Sequence, residues 1–180
     1  MTIVYHGSKV QFDKFDHSFI GKNATSEGYG FYFTDQKSIA EAYAQNGFLY
    51  TVKLNGKKSL SSTKKTITKT QLKKFIEQLH RSHECGYLWD YGDIGTQGYN
   101  SVLAEAVNLE YNNNDNDVDM IASICNVYGS KEPLQILYNM FGYDHIKLIA
   151  EWNHNLDAEQ TLYIALVNDI INIVEVEALN

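Results

Sequence analysis

Positive charge is in short supply: 15 lysines and arginines stand against 22 aspartates and glutamates, for a net charge of −7 over 180 residues. No broad basic face is expected, so a high-affinity polyanion is disfavoured as partner, and a nucleic-acid target is disfavoured without being ruled out. Cysteine is scarce as well. Cys85 and Cys125 stand far apart, in no metal-ligand spacing, and the start MTIVYHGS has none of the basic and apolar pattern of a signal segment. The expectation is a cytoplasmic chain with both thiols reduced and no metal. Long apolar runs are missing too: LYIALV at 162–167 is far too short to span a bilayer, so no membrane association is expected. Against a single proline the chain sets 13 tyrosines.

What is present reads as one domain over 1–180, with enough apolar residues for one core. Ile3–Tyr5 form a short strand with His6 at its end, residues 18–28 a small-residue loop, and GFYF at 30–33 a second strand opened by Gly30. A helix follows, with Asp35 as N-cap, Ile39, Ala40 and Tyr43 at helical spacing, and Gly47 just past its end. FLYTVKL at 48–54 alternates as a strand does, and the lysine-rich GKKSLSSTKKTITKT is a loop. Helices fit 71–81, 101–111, 117–129 and the stretch opened by Pro133, placed at an N1-like position, with an ordered loop over 83–100. Strand chemistry returns in YDHIKLIAEW, TLYIALV and IINIVEVEAL. Strands at both ends with helices between predict an α+β fold with non-local strand pairing.

Two stretches carry chemistry. In GYGFYFTD, residues 28–35, aromatics alternate with glycines, where a buried strand prefers branched aliphatics. By itself the stretch fits a half-buried edge strand; paired with Tyr43 on the next helix it fits a slot for an aromatic heterocycle, two rings beside a backbone gap. In YHGS, His6 can simply cap a strand end and donate to a carbonyl. Gly7 and Ser8 make a second reading available, in which the backbone approaches a planar amide. Other clusters read more plainly. His80, His83 and Cys85 lack a fourth ligand and read as surface residues; NNNDND lacks the glycine and terminal glutamate of a calcium loop; WDYGD at 89–93 suits either packing or a target-binding rim.

Taken together, YHGS, G-F-Y-F-T-D and the helix bearing Tyr43 resemble the H-Y-E, poly-ADP-ribose-polymerase-like branch of the ADP-ribosyltransferases, small bacterial and phage members above all. The likeness covers residues 3–54 and 141–176, including GYDHIKL and LYIALVNDIINIV. It implies a split β-sheet core with inserted helices, and transfer of ADP-ribose from NAD, the substrate, to a macromolecule, a protein in the first place. His6 would reach a ribose, Gly7 the nicotinamide carboxamide, and Tyr32 and Tyr43 the nicotinamide ring, with Ser8, Gly30 and Phe31 lining the same site. A serine that often holds the carboxamide is replaced by Ala40, and the usual catalytic glutamate by Leu162. Glu151 ranks first as substitute acid, with the alternative of an exposed strand-end carboxylate, before Glu159 and then Gln160. The helical insertion at 55–140 would recognise the target, and an anti-defence role for a phage protein fits the resemblance. NAD hydrolysis, or a catalytically silent binding or inhibitor protein on the same fold, stands as the alternative.

Overall fold

The computed structural model describes residues 1–20, 29–82, 93–150 and 159–179. They fall into two compact units, Met1–Ser59 with Tyr143–Asn180, and Leu60–Gly142.

The first unit is a sheet with one helix. In chain order it comprises β1 (Thr2–Ser8), β2 (Phe31–Thr34), α1 (Lys37–Ala44), β3 (Phe48–Leu54), the three-residue β4 (Ser59–Ser61) at its boundary, β5 (His145–Ala150), β6 (Gln160–Ala165) and β7 (Ile171–Ala178). The sheet order is β4-β5-β6-β2-β1-β3-β7. Strands from the two ends of the chain therefore interleave, as the expected α+β class with non-local pairing requires. One face carries the core. Val4, Phe31, Phe33, Tyr50, Val52, Leu54, Tyr163 and Ala165 pack there with Phe15 and Ile170, two-residue alternation sending every second side chain to that side. Tyr50 fastens the segment after β1 across this face: its hydroxyl accepts from Phe12 N–H at 2.6 Å, donates to Phe12 C=O at 3.1 Å, and its ring stacks on Phe12 at 4.2 Å.

The second unit is helical: α2 (Lys69–Ser82), α3 (Gln97–Asn113), α4 (Asp117–Tyr128) and α5 (Lys131–Phe141). Leu72, Phe75, Ile76 and Leu79 form the buried stripe of α2, matched by Leu103 and Val107 on α3, Met120, Ile121 and Ile124 on α4, and Leu134 and Leu137 on α5. The loop leading into α2 is organised by Asp117. Its buried carboxylate accepts from the amides of Ser61, Thr66 and Ile67 and from the Thr66 hydroxyl, and its own N–H donates to Lys64 C=O. Among the described residues no helix is long and apolar enough to cross a membrane.

Several boundaries differ from those read in the sequence. β1 continues to Ser8 because its ladder with β3 runs to Ser8↔Phe48, so His6 lies inside the strand and not at its end. Asp35 does not cap α1. The N-cap is Gln36, without a side-chain bond, and the Asp35 carboxylate accepts from Thr161 N–H at 3.0 Å instead. At the other end of α1 the left-handed residues are Gln45 and Asn46, φ 49° and 65°, ahead of Gly47. The lysine-rich loop contains β4, and α2 starts two residues early behind a capping box in which Thr68 and Gln71 exchange bonds. α3 starts at Gln97 because Thr96 caps it through Tyr99 N–H. Pro133 is the third residue of α5, which also falls among the first-turn positions with no intrahelical N–H bond to lose. His80 is half-buried rather than at the surface, its ring 5.3 Å from that of Tyr99.

Candidate functional site

The sheet comes apart where YHGS meets GFYF. β1 pairs with β3 along its whole length, and β2 with β6 from Phe31↔Ala165 to Thr34↔Leu162. Between β1 and β2 the pairing is the single bridge Tyr5↔Thr34. Continued, that antiparallel register would set Gly7 opposite Tyr32. There the ladder is replaced by a side chain: His6 Nδ1 lies 2.8 Å from the carbonyl oxygen of Tyr32. A carbonyl only accepts, so Nδ1 carries the proton and Nε2 is the lone-pair nitrogen of a neutral imidazole.

The surroundings of His6 hold it in that form. The rings of Phe15, Phe33, Phe12 and Tyr50 stand 5.1, 5.8, 6.0 and 6.1 Å from the imidazole. Burial among them pushes the His6 pKa below its ordinary value of 6.5, and the Tyr32 carbonyl opposes that shift only in part. A neutral histidine anchored through Nδ1 presents Nε2 as an acceptor suited to a hydroxyl group.

The sign of this shift yields a pH prediction. Below pH 6.5 the unfolded chain protonates His6 while the folded chain resists it, so stability is complete above that value and declines as pH falls, by at most about 1.4 kcal/mol per pH unit for one proton. Urea midpoints at pH 7.5 and 5.5 should therefore drop further for the native sequence than for His6→Phe. Equal drops would assign the acid sensitivity to other groups.

Gly7 is glycine because of a helix. A Cβ built there would stand 1.9 Å from Ala40 O and 2.7 Å from Ala44 N, so α1 crosses β1 backbone to backbone. The crossing brings the turn that carries Tyr43 over the strand. Tyr43 itself is 51% exposed, while Tyr32 is half-buried on the sheet face opposite the core. Gly30 has a comparable reason to lack a side chain: its Cβ would meet Ile164 Cγ2 at 2.4 Å and Ala165 O at 2.9 Å.

The remaining candidates are more dispersed. The Ser8 hydroxyl closes a local turn with Val10 C=O at 2.8 Å. Phe31 belongs to the core, edge-on to Phe15 at 5.4 Å and tilted to His17 at 5.0 Å. Leu162 is half-buried opposite Thr34 and Leu148, and shares its face with Gln160 and Ile164. Gln160 is buried, and its Oε1 accepts from Thr34 Oγ1 at 2.9 Å. Glu159 is exposed, its main-chain carbonyl accepting from Gln36 Nε2 at 2.6 Å. Glu151, the residue after Ala150 of β5, lies outside the described residues, as do His83, Cys85 and residues 89–92 of WDYGD.

Sequence reasoning missed the role of Thr34, Asp35 and Gln36. Together they tie the end of β2 to the start of β6: Thr34 to Gln160, Asp35 to both N–H and C=O of Thr161, Gln36 to Glu159. The Thr-Asp pair closing GYGFYFTD is the available signal, and in the sequence it reads as a helix cap.

Comparison with known proteins places the chain in a family. A family model described as "ADP-Ribosyltransferase in polyvalent proteins" matches residues 1–148. No curated protein and no solved structure matches the chain. That match takes in β1, β2, α1, the split between the two strands and all of the helical unit, and the chain belongs to this ADP-ribosyltransferase family.

Proposed function

We propose that the protein is an NAD-dependent mono-ADP-ribosyltransferase whose dinucleotide site is the split between β1 and β2. The observation that carries this reading is the His6–Tyr32 hydrogen bond in place of a ladder, which leaves a neutral imidazole acceptor beside an interrupted strand pairing. Family membership supports the general class of reaction. In this reading His6 Nε2 accepts from a ribose hydroxyl, the main chain of Gly7 meets the carboxamide, and Tyr32 and Tyr43 flank the nicotinamide, with Ser8 and Gly30 shaping the walls around them and Phe31 backing β2 from the core side.

The reaction is a displacement at the ribose C1′. The bond to the nicotinamide nitrogen breaks, nicotinamide leaves with the bonding pair, and a nucleophile on the acceptor bonds to C1′ and loses its proton. Holding leaving group and nucleophile in line does most of the work. A carboxylate against the cationic ribose lowers the barrier further, and Glu151 is the proposed donor of that charge. Gln160 can only hydrogen-bond, and its Oε1 is already taken by Thr34. The helical segment 55–140 supplies target recognition, with a protein as the acceptor, and an anti-defence role in a phage setting fits the likeness to small phage enzymes.

Leu162 at the usual acid position favours the second reading, a silent binding protein on the same fold. Incubation of a cell lysate with biotin-NAD separates the two. The transferase reading expects labelled macromolecules with the native protein and at least tenfold less label with Glu151→Gln. No label at all supports the silent protein, and rapid nicotinamide release without a target supports a hydrolase. Undiminished label with Glu151→Gln moves the acid to Glu159.

A further inference from the structure

The scarcity of positive charge is not uniform. Residues 57–74, KKSLSSTKKTITKTQLKK, hold seven of the 15 basic residues and no acidic one, leaving 8 basic against 22 acidic residues in the rest of the chain. Within the helical unit the structure gathers part of this charge. Lys65 Nζ and Lys69 Nζ stand over one ring, that of Tyr111, at 4.7 and 5.2 Å from its centroid. Each ammonium is held by a neutral acceptor, Lys65 by Tyr111 C=O at 2.8 Å and Lys69 by Asn108 Oδ1 at 2.9 Å. Lys73 follows Lys69 by four residues on the same face of α2, and Lys64 precedes Lys65.

Among the described residues none of these four lysines has a carboxylate within ion-pair distance. The nearby Asp117 carboxylate is spent on the loop amides, and that of Glu110 is buried beside Asn114. Lys65 and Lys69 are thus placed by neutral contacts, which leaves their charge available to an anion.

We propose that Lys64, Lys65, Lys69 and Lys73 form a docking surface for the phosphate backbone of a nucleic-acid strand. This goes beyond the transferase reading and does not depend on it. The chemistry selects the partner. Lysine is depleted from protein–protein interfaces, which are anchored by aromatics, methionine and arginine, and none of the exposed large apolar side chains among the described residues lies in 57–74. Attraction of lysines alone to an anionic membrane is worth only about 1 kcal/mol per residue without an apolar anchor, and the vesicle arm of the test below measures it. Lysines set in a polar segment with the exposed Thr63 and Thr70 instead match the donors that contact phosphate oxygens without reading bases.

The test is fluorescence anisotropy with labelled 20-nucleotide single-stranded RNA and DNA, without NAD, from 50 to 200 mM salt. The expected result is binding whose logarithm falls against log salt with a slope of about −3, as four phosphate contacts on a single strand require. Lys64→Gln, Lys69→Gln and Lys73→Gln combined, with helicity unchanged by circular dichroism, should weaken it at least tenfold at 50 mM salt. The same charge change in the first unit, Lys9→Gln, Lys14→Gln and Lys53→Gln, should leave it within twofold. The proposal is overturned by absence of binding, by equal losses in the two triple variants, or by tighter binding to poly-glutamate or to phosphatidylserine vesicles than to either strand. Because NAD is absent, failure here leaves the transferase reading intact, and an inactive transferase could still bind.

Discussion

His6→Ala should lower ADP-ribosylation by a hundredfold or more while the protein stays folded. Two losses combine in that figure. The acceptor nitrogen proposed to hold the ribose disappears, and the Tyr32 carbonyl loses the imidazole donor, so the rim of the split proposed to position the nicotinamide is released. Misplacement of reacting groups by about 1 Å is enough to cost 10²-fold. The structural cost is separate: the lost hydrogen bond and a small void between Phe12, Phe15, Phe33 and Tyr50 amount to about 2 kcal/mol. A thermal melt measures that cost directly. Single-turnover rates with saturating NAD then decide the assignment. A His6→Ala protein that melts a few degrees early yet transfers ADP-ribose at the native rate would confine His6 to structure, and the split would lose its role as dinucleotide site.

How far this site could be read in advance depends on which contacts are local. The helix bearing Tyr43, the alternating strand at 48–54 and the buried stripe of α2 follow from periodicity, because each buries its own apolar face. The interleaving of strands from both ends of the chain was legible, whereas the bond of His6 to the Tyr32 carbonyl was not. What could not be read depends on partners far away in sequence. Asp35 has the composition of a helix cap, yet Thr161, 126 positions on, offers its amide and wins it. β1 outruns its apolar residues because β3 supplies a full ladder through Ser8. Gly98, the second residue of α3, argues by itself against a helix, but the Thr96 hydroxyl caps the first turn and the helix begins there all the same. The charge of 57–74 was in plain view and vanished in the net value of −7, an average over segments of opposite character.

Gly7→Ala should be the most damaging single methyl in the first unit. The new carbon would sit 1.9 Å from Ala40 O, 2.7 Å from Ala44 N and 2.9 Å from Ala40 C. All three are main-chain atoms of α1, so no side chain can swing aside, and the helix must lift by more than about 1 Å to reach ordinary contact. Lifting it unseats Ile39, Ala40 and Ala44, buried to 8, 1 and 0% exposure, at a cost of about 3 kcal/mol, the upper end of overpacking, which in a chain of this size lowers Tm by roughly 10 °C. Gly142→Ala provides the contrast. That glycine has open space around its Cβ direction and a φ of 74°, so its cost is backbone strain alone, about 1 kcal/mol. The clash at Gly7 also makes a second, sharper claim: Ala40→Gly cannot rescue Gly7→Ala, because trimming the side chain leaves the offending carbonyl in place. Rescue of Tm by that double substitution would mean that α1 does not cross β1 backbone to backbone. Tyr43 rides on the displaced helix, so transfer activity should fall with the melt and remain depressed at 15 °C, where the variant is folded.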